Sequence, residues 1–143
     1  MKKFVVFLVI VVAIVCAIAY MYLNFIANRN TAITENMPYE TYLNREIFGS
    51  DLASVINRAI NDNNKNNVEK DEKGLYIAND TNSIKIQVKI TDNDTTYDME
   101  TFYNSGMDNF IKYYNQIKFK CTNVEYHETT NKIKYMLFEQ ITS

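Results

Sequence analysis

The stretch FVVFLVIVVAIVCAIAYMYL, residues 4–23, contains twenty consecutive positions without a charged side chain. At a rise of about 1.5 Å per residue, a helix of this length crosses the roughly 30 Å hydrocarbon core of a bilayer and satisfies its own backbone groups there. Lys2 and Lys3 precede the stretch, and basic residues favour the cytoplasmic side. We therefore expect a transmembrane helix within residues 1–28 of a cell-membrane protein, with a cytoplasmic N-terminus and an extracytoplasmic C-terminal part.

A cleaved signal peptide is the alternative interpretation of the same residues. The two lysines would form its basic n-region, residues 4–16 its apolar core, and Ala17-Ile18-Ala19 an A-x-A cleavage site. The apolar run continues past this site to Ile26, however, which is longer than a signal peptide needs. We favour an uncleaved anchor, and the alternative is a secreted domain released after Ala19.

The remaining residues, 29–143, are numerous enough for one domain with its own core. They carry thirteen Lys and Arg residues against seventeen Asp and Glu residues, a net charge of about −4. Because they contain no run of basic residues, we expect no binding to nucleic acid. Cys121 is the only cysteine in this part of the chain, so no disulfide framework is expected there.

The pattern of apolar residues divides this part into a linker and a domain. Residues 29–38 are mostly polar, contain the only proline and show no apolar periodicity, which predicts a juxtamembrane linker. The extracytoplasmic domain would then comprise residues 39–143. Its first clear element is an amphipathic helix, in which apolar residues recur at i, i+3, i+4, i+7 and i+8: Leu52, Val55, Ile56, Ala59 and Ile60.

The apolar period then changes from 3.6 to 2, which indicates strands. Ile84, Ile86, Val88 and Ile90 alternate with Lys85, Gln87 and Lys89, as in a strand with one buried face. A turn at residues 92–95 leads to a second strand, predicted over residues 97–103. An amphipathic helix follows over residues 105–114, although the apolar residues from Met99 onward also fit an earlier helix start.

Two C-terminal strands, residues 117–126 and 133–141, flank a turn at residues 127–131 and predict a hairpin. The alternation slips near Thr122 and Asn123, which predicts a β-bulge. Together these elements predict the α+β class: an N-terminal transmembrane helix followed by a small domain with an antiparallel sheet and two amphipathic helices.

Four acidic residues, Asp92, Asp94, Asp98 and Glu100, have the spacing of oxygen ligands in a calcium loop. An EF-hand loop beginning at Asp92 requires glycine at its sixth position and glutamate at its twelfth, and both positions are tyrosine here. We therefore interpret this segment as a solvated turn and predict no metal site.

Cys121 and His127 are the only thiol and imidazole in the domain, so they are the obvious nucleophile and base of a hypothetical enzyme. On one continuous strand they would lie about 20 Å apart, far beyond hydrogen-bonding distance. Among other candidates, Glu125 and Glu139 could meet across the hairpin, and a sugar or peptide groove could use exposed aromatic residues: Tyr113, Tyr114, Tyr126 and Tyr135. The sequence contains no nucleotide-binding or phosphate-binding motif.

Two stretches resemble a known group of proteins. NREIFGSDLASVIN, residues 44–57, and FKCTNVEYH, residues 119–127, are similar to stretches of uncharacterised single-pass membrane proteins from low-GC Gram-positive bacteria. The basic start, long apolar helix and downstream sheet also resemble the architecture of type IV pilin-like proteins. Lys3 stands where pilins have a small residue before the cleavage site, and Leu8 stands where they have glutamate.

The resemblance implies a location and an architecture but no activity. We accordingly predict a non-catalytic binding or envelope-assembly module, without catalytic, cofactor-binding or metal-binding residues and without a cofactor. Its partners would be the membrane, through residues 4–23, and an envelope protein, with no identifiable small-molecule ligand. A pilin-like surface subunit is a further alternative.

Overall fold

The computed structural model describes residues 1–142 and begins with a continuous helix, α1, from Lys2–Glu40. Its 39 residues extend for about 58 Å. Among residues 1–142, α1 alone is long and apolar enough to cross a membrane, since an 18-residue window has a mean hydropathy of 3.1 and none of it is buried.

The predicted linker at residues 29–38 is instead the C-terminal part of α1. Ala32, Asn36 and Tyr39 are buried against the domain, and their spacing of i, i+4 and i+7 places them on one face of the helix. Tertiary packing of this face stabilises a helix whose polar sequence would be marginal in isolation. The packing face was missed because one of its three members is an asparagine.

The domain beyond α1 has one layer of helices and one layer of strands, which confirms the α+β class. A short 3₁₀ turn, Thr91–Asn93, follows the second strand. The elements in chain order are β1 (Glu46–Phe48), α2 (Gly49–Lys65), β2 (Lys85–Ile90), β3 (Thr95–Asp98), α3 (Met99–Asn104), α4 (Met107–Tyr114), β4 (Lys118–Tyr126) and β5 (Ile133–Gln140).

The five strands form one sheet in the order β1-β4-β5-β2-β3. β4 and β5 form the predicted hairpin, and the predicted bulge is confirmed by a register shift between Cys121 and Asn123. The expected purely antiparallel sheet is wrong in one respect, because β2 and β5 are parallel and the sheet is mixed. β3 occupies one side of β2, and the hairpin joins on the other side through β5, which runs in the same direction as β2.

The outer strand β1 is short and pairs only with residues 118–120 of β4. In the part of the chain that the structure describes, residues 121–126 of β4 therefore have a strand neighbour only on the β5 side.

The core lies between α2 and one face of the sheet. All five apolar residues of the predicted α2 stripe are buried, and so are Ile86, Val88 and Ile90 of β2. Each such side chain contributes on the order of 1.5–3 kcal/mol by leaving water. Lys85, Gln87 and Lys89 point to the opposite, polar face, which confirms the alternation predicted for this strand.

The strand predicted over residues 97–103 ends early. β3 stops at Asp98 and α3 begins at Met99, so the helical alternative is correct for residues 99–104. Burial explains the change, because Met99 is fully buried and the Phe102 ring packs 5.5 Å from Tyr97 and 4.8 Å from Phe110, centroid to centroid. A helix directs these side chains to one side, whereas a strand would separate them.

Asn63 joins α2 to the beginning of β2. Its side chain is fully buried, its amide nitrogen donates to the Ile84 carbonyl at 2.7 Å, and its amide oxygen accepts from the Ile84 N–H at 2.8 Å. Both backbone groups of a buried residue are satisfied in this way. The chain thus enters the sheet at a position fixed by one side chain.

We expect Asn63→Ala to destabilise the domain by about 2–4 kcal/mol, because it leaves the buried N–H and C=O of Ile84 without partners. The measurement is urea unfolding of the full chain in a mild detergent, monitored by circular dichroism. Asn61→Ala, at an exposed position of the same helix, is the matched control and should change stability by less than about 0.5 kcal/mol. Equal stability of the two variants would contradict this role of Asn63.

Candidate functional site

Hydrogen bonds and an ion pair join α1 to the domain. Asn36, on the packing face of α1, donates its amide N–H to the Asn131 carbonyl at 2.9 Å and accepts the Ile133 N–H at 2.8 Å. These two bonds attach α1 to the start of β5. Beside them, Lys132 and Glu35 form an ion pair at 2.7 Å.

Tyr39 attaches α1 to α2. Its hydroxyl donates to the Asp62 carboxylate at 2.5 Å, and its ring is almost fully buried. Burial raises the pKa of the Tyr39 phenol far above its usual value, and the hydrogen bond to Asp62 and the Asp62 charge raise it further. The phenol therefore remains a neutral donor to Asp62 at physiological pH.

A polar cleft of about 180 Å³ lies between α1 and α2 at this junction. Arg58, Asp62 and Lys65 line its α2 wall, at the i, i+4 and i+7 positions of one helix face. Asp62 is occupied by Tyr39, whereas Arg58 and Lys65 have no carboxylate within 4.0 Å among residues 1–142. The cleft thus presents two cations suited to an anionic or polar partner.

Cys121 and His127 do not meet. The Cys121 thiol is half-buried and contacts the Asn123 carbonyl at 3.3 Å, and burial raises the pKa of this thiol, which disfavours the reactive thiolate. His127 is buried rather than at the surface of the turn, and its Nε2 donates to the Ser83 carbonyl at 2.8 Å. Each side chain is engaged with a different part of the backbone.

The four acidic residues with calcium-like spacing point to separate partners. Asp92 accepts from Gln140, Asp94 pairs with Lys89, and Asp98 pairs with Lys85. Glu100 is buried and accepts the Tyr76 N–H at 3.0 Å. Residues 1–142 contain no cluster of three His, Cys, Asp or Glu side chains that could hold a metal ion.

The remaining candidates do not converge either. Glu125 lies opposite Tyr135 in the hairpin, and Glu139 lies opposite Lys120, so the two acids are not paired. Tyr135 donates its hydroxyl to Gln87, and the Tyr114 ring packs on Phe110 in the aromatic core. Tyr113 and Tyr126 are exposed, on α4 and at the end of β4, respectively.

Sequence reasoning did not identify the groups that build the junction. Asn36 lies in the predicted linker, Tyr39 is the first residue after that linker, and Asp62 follows the predicted apolar stripe of α2. The available signal was the i, i+4, i+7 spacing of Ala32, Asn36 and Tyr39, which is helical but only partly apolar.

No protein-family model matches this chain, and comparisons with curated proteins and with solved structures gave no match.

We expect Tyr39→Phe to destabilise the domain by about 1.5–3 kcal/mol at pH 7, because the Asp62 carboxylate loses its hydrogen-bond donor. Folding raises the Tyr39 pKa above its unfolded value near 10, so this stabilisation is present below pH 10 and lost as the pH rises beyond it. The free energy of unfolding, measured with urea from pH 7 to 11, should therefore differ between wild type and variant by an amount that decreases above pH 10.

Tyr113→Phe is the matched control, since Tyr113 is 68% exposed. Its stability should follow that of the wild type at every pH. If the difference in unfolding free energy between wild type and Tyr39→Phe stayed constant to pH 11, folding would not raise the pKa of Tyr39, and this would contradict the burial of the phenol.

Proposed function

We propose that this protein is a single-pass membrane protein whose extracytoplasmic domain binds or assembles with another component of the cell envelope, without catalysis. α1 supports a membrane location by its length and apolar character, and Lys2 and Lys3 favour a cytoplasmic N-terminus. The resemblance of residues 44–57 and 119–127 to single-pass membrane proteins of low-GC Gram-positive bacteria is consistent with this proposal.

The observation that carries the proposal is the exposure of the apolar part of α1. Tyr20, Met21, Leu23 and Phe25 are each more than 60% exposed, and they lie beyond the Ala19 cleavage site. A secreted form that began at Tyr20 would carry these side chains into water, at a cost that burial in lipid avoids. This favours an uncleaved anchor over the secreted alternative.

The attachment of α1 supports a role in positioning the domain. A simple tether needs no ordered contact with the domain, whereas α1 forms hydrogen bonds through Asn36 and Tyr39 and an ion pair through Glu35. These contacts hold the domain in one orientation relative to the helix. A fixed orientation favours binding to a partner at a defined height above the membrane, because less freedom is lost on association.

The cleft between α1 and α2 is the part of the surface where we expect the partner to bind. Arg58 and Lys65 are exposed and unpaired among the described residues, and the rest of the domain is mildly acidic. An acidic segment of an envelope protein would therefore be attracted to this cleft more than to its surroundings.

The first test is the intact mass of the protein from separated membrane and soluble fractions of cells that express it. We expect a full-length chain beginning at Met1 or Lys2 in the membrane fraction, and a domain that external protease digests in intact cells. Ala19→Leu, which blocks an A-x-A site, should leave the mass unchanged apart from the substitution. A soluble form beginning at Tyr20 would overturn the anchor, and cleavage before Phe4 would favour the pilin-like alternative.

The second test is charge reversal in the cleft. The double variant Arg58→Glu with Lys65→Glu should lower the yield of photo-crosslinks formed from position 66, inside the cleft, by about tenfold or more, since like charges across an interface cost several kcal/mol. Lys73→Glu with Lys112→Glu changes the net charge equally at exposed sites outside the cleft and should preserve the yield. Equal yields from the two double variants would contradict binding at the cleft.

A further inference from the structure

Two loops form the end of the domain that lies nearest the apolar part of α1. They are residues 79–83, before β2, and residues 128–131, between β4 and β5, and we call them together the membrane-side tip. A recess of about 380 Å³ separates residues 128–131 from Phe25, Asn28 and Arg29 of α1. Residues 128–131 of the tip therefore lie beside α1 at the level where its apolar run ends, and residues 80 and 81 are hydrogen-bonded to them.

We infer that the membrane-side tip lies in the lipid headgroup layer of the membrane that holds α1, where it contacts neutral or zwitterionic headgroups. This inference rests on the proposed membrane anchor. From Leu23 to Arg29 the helix rises about 9 Å, and from Ile26 to Arg29 about 5 Å. The headgroup layer is roughly 5–8 Å thick on each side of the hydrocarbon core, so the tip and the headgroups occupy the same level.

Hydrogen bonds between the two loops make the tip a single surface. The Thr129 hydroxyl donates to the Asp80 carbonyl at 2.5 Å, and the Thr130 hydroxyl donates to the Thr81 carbonyl at 2.7 Å. Within the first loop, the Asn79 side-chain oxygen accepts backbone N–H groups from residues 81, 82 and 83. Asn36 holds the second loop to α1 through the Asn131 carbonyl. Insertion of α1 to the end of its apolar run therefore brings both loops to the bilayer surface together.

The chemistry of the tip indicates which headgroups it suits. Its side chains are hydroxyls, amides and the carboxylates of Asp80 and Glu128, with no lysine or arginine. Such groups can form hydrogen bonds in the hydrated headgroup layer, but the two carboxylates are repelled by an anionic membrane surface. Among the residues that the structure describes, Arg29 of α1 is the only cation that lines the recess.

Spin labels in the full chain can test this arrangement. In a background of Cys16→Ser and Cys121→Ser, single cysteines replace Leu8 in the apolar run, Glu128 in the tip, or Tyr113 on α4. α4 packs through Phe110 against Phe119, at the opposite end of β4 from the tip, so Tyr113 reports a site far from the membrane. The protein is placed in phosphatidylcholine vesicles that contain a lipid with a nickel-chelating headgroup. The nickel ion should accelerate the spin relaxation of the label at position 128 and leave that of the label at position 113 unchanged.

Each outcome supports or overturns a distinct claim. Accessibility of the label at position 8 to dissolved oxygen, but not to a water-soluble nickel chelate, supports the anchor, and the reverse result overturns the proposed function itself. With that label in lipid, equal relaxation at positions 128 and 113 overturns the location of the tip. A second tip label, in a Thr81→Cys variant, keeps both Asp80 and Glu128. Replacing part of the phosphatidylcholine by phosphatidylglycerol should reduce the nickel-induced relaxation of this label, and an increase would overturn the preference for zwitterionic headgroups.

Discussion

The hydrogen bonds of Asn36 are the constraint on which the rest of this architecture depends. They connect a buried amide on α1 to both an N–H and a C=O at the start of β5, so the helix and the sheet share one ordered junction. Together with the burial of Ala32 and Tyr39, they stabilise the helical state of the polar stretch after the apolar run. The bond to Ile133 also satisfies its buried N–H, because an N–H buried without an acceptor would cost free energy on folding.

A second asparagine performs the same task for the neighbouring strand. Asn63 of α2 binds both backbone groups of Ile84, which immediately precedes β2. In the same way, Asn36 of α1 binds the N–H of Ile133, the first residue of β5, and the carbonyl of Asn131. β2 and β5 are the parallel pair of the sheet, and they begin at the same end. His127 joins this end from the hairpin side through the Ser83 carbonyl. The parallel pairing is thus set by side chains at the strand starts, in addition to the ladder itself.

These relationships explain how far the sequence could be interpreted. The α2 stripe and the alternation in β2 were predictable because each repeats with a single period over neighbouring residues. The bulge near Asn123 was predictable because it interrupts such a repeat. The helical state of residues 29–38 and of α3 depends on burial of Asn36 and Met99 against distant elements, and a single-sequence pattern does not contain that information. The parallel pairing of β2 with β5 links residues about 50 positions apart. The hydrogen bond between Tyr39 and Asp62 links residues 23 positions apart, and neither belongs to a predicted apolar stripe.

The short strand β1 leaves residues 121–126 of β4 without a strand partner on one side among residues 1–142, where Leu43 and Asn44 lie nearby. A strand edge without a strand partner is a common route to self-association. Two copies that joined antiparallel through this edge would be related by a two-fold axis perpendicular to the sheet. That operation reverses β4 and reverses α1 with it, because α1 runs beside the hairpin from the turn toward the strands. Copies anchored in one membrane with the same topology cannot adopt this symmetry. The proposed anchor would therefore prevent this edge of β4 from pairing with the same edge of a second copy in the same membrane.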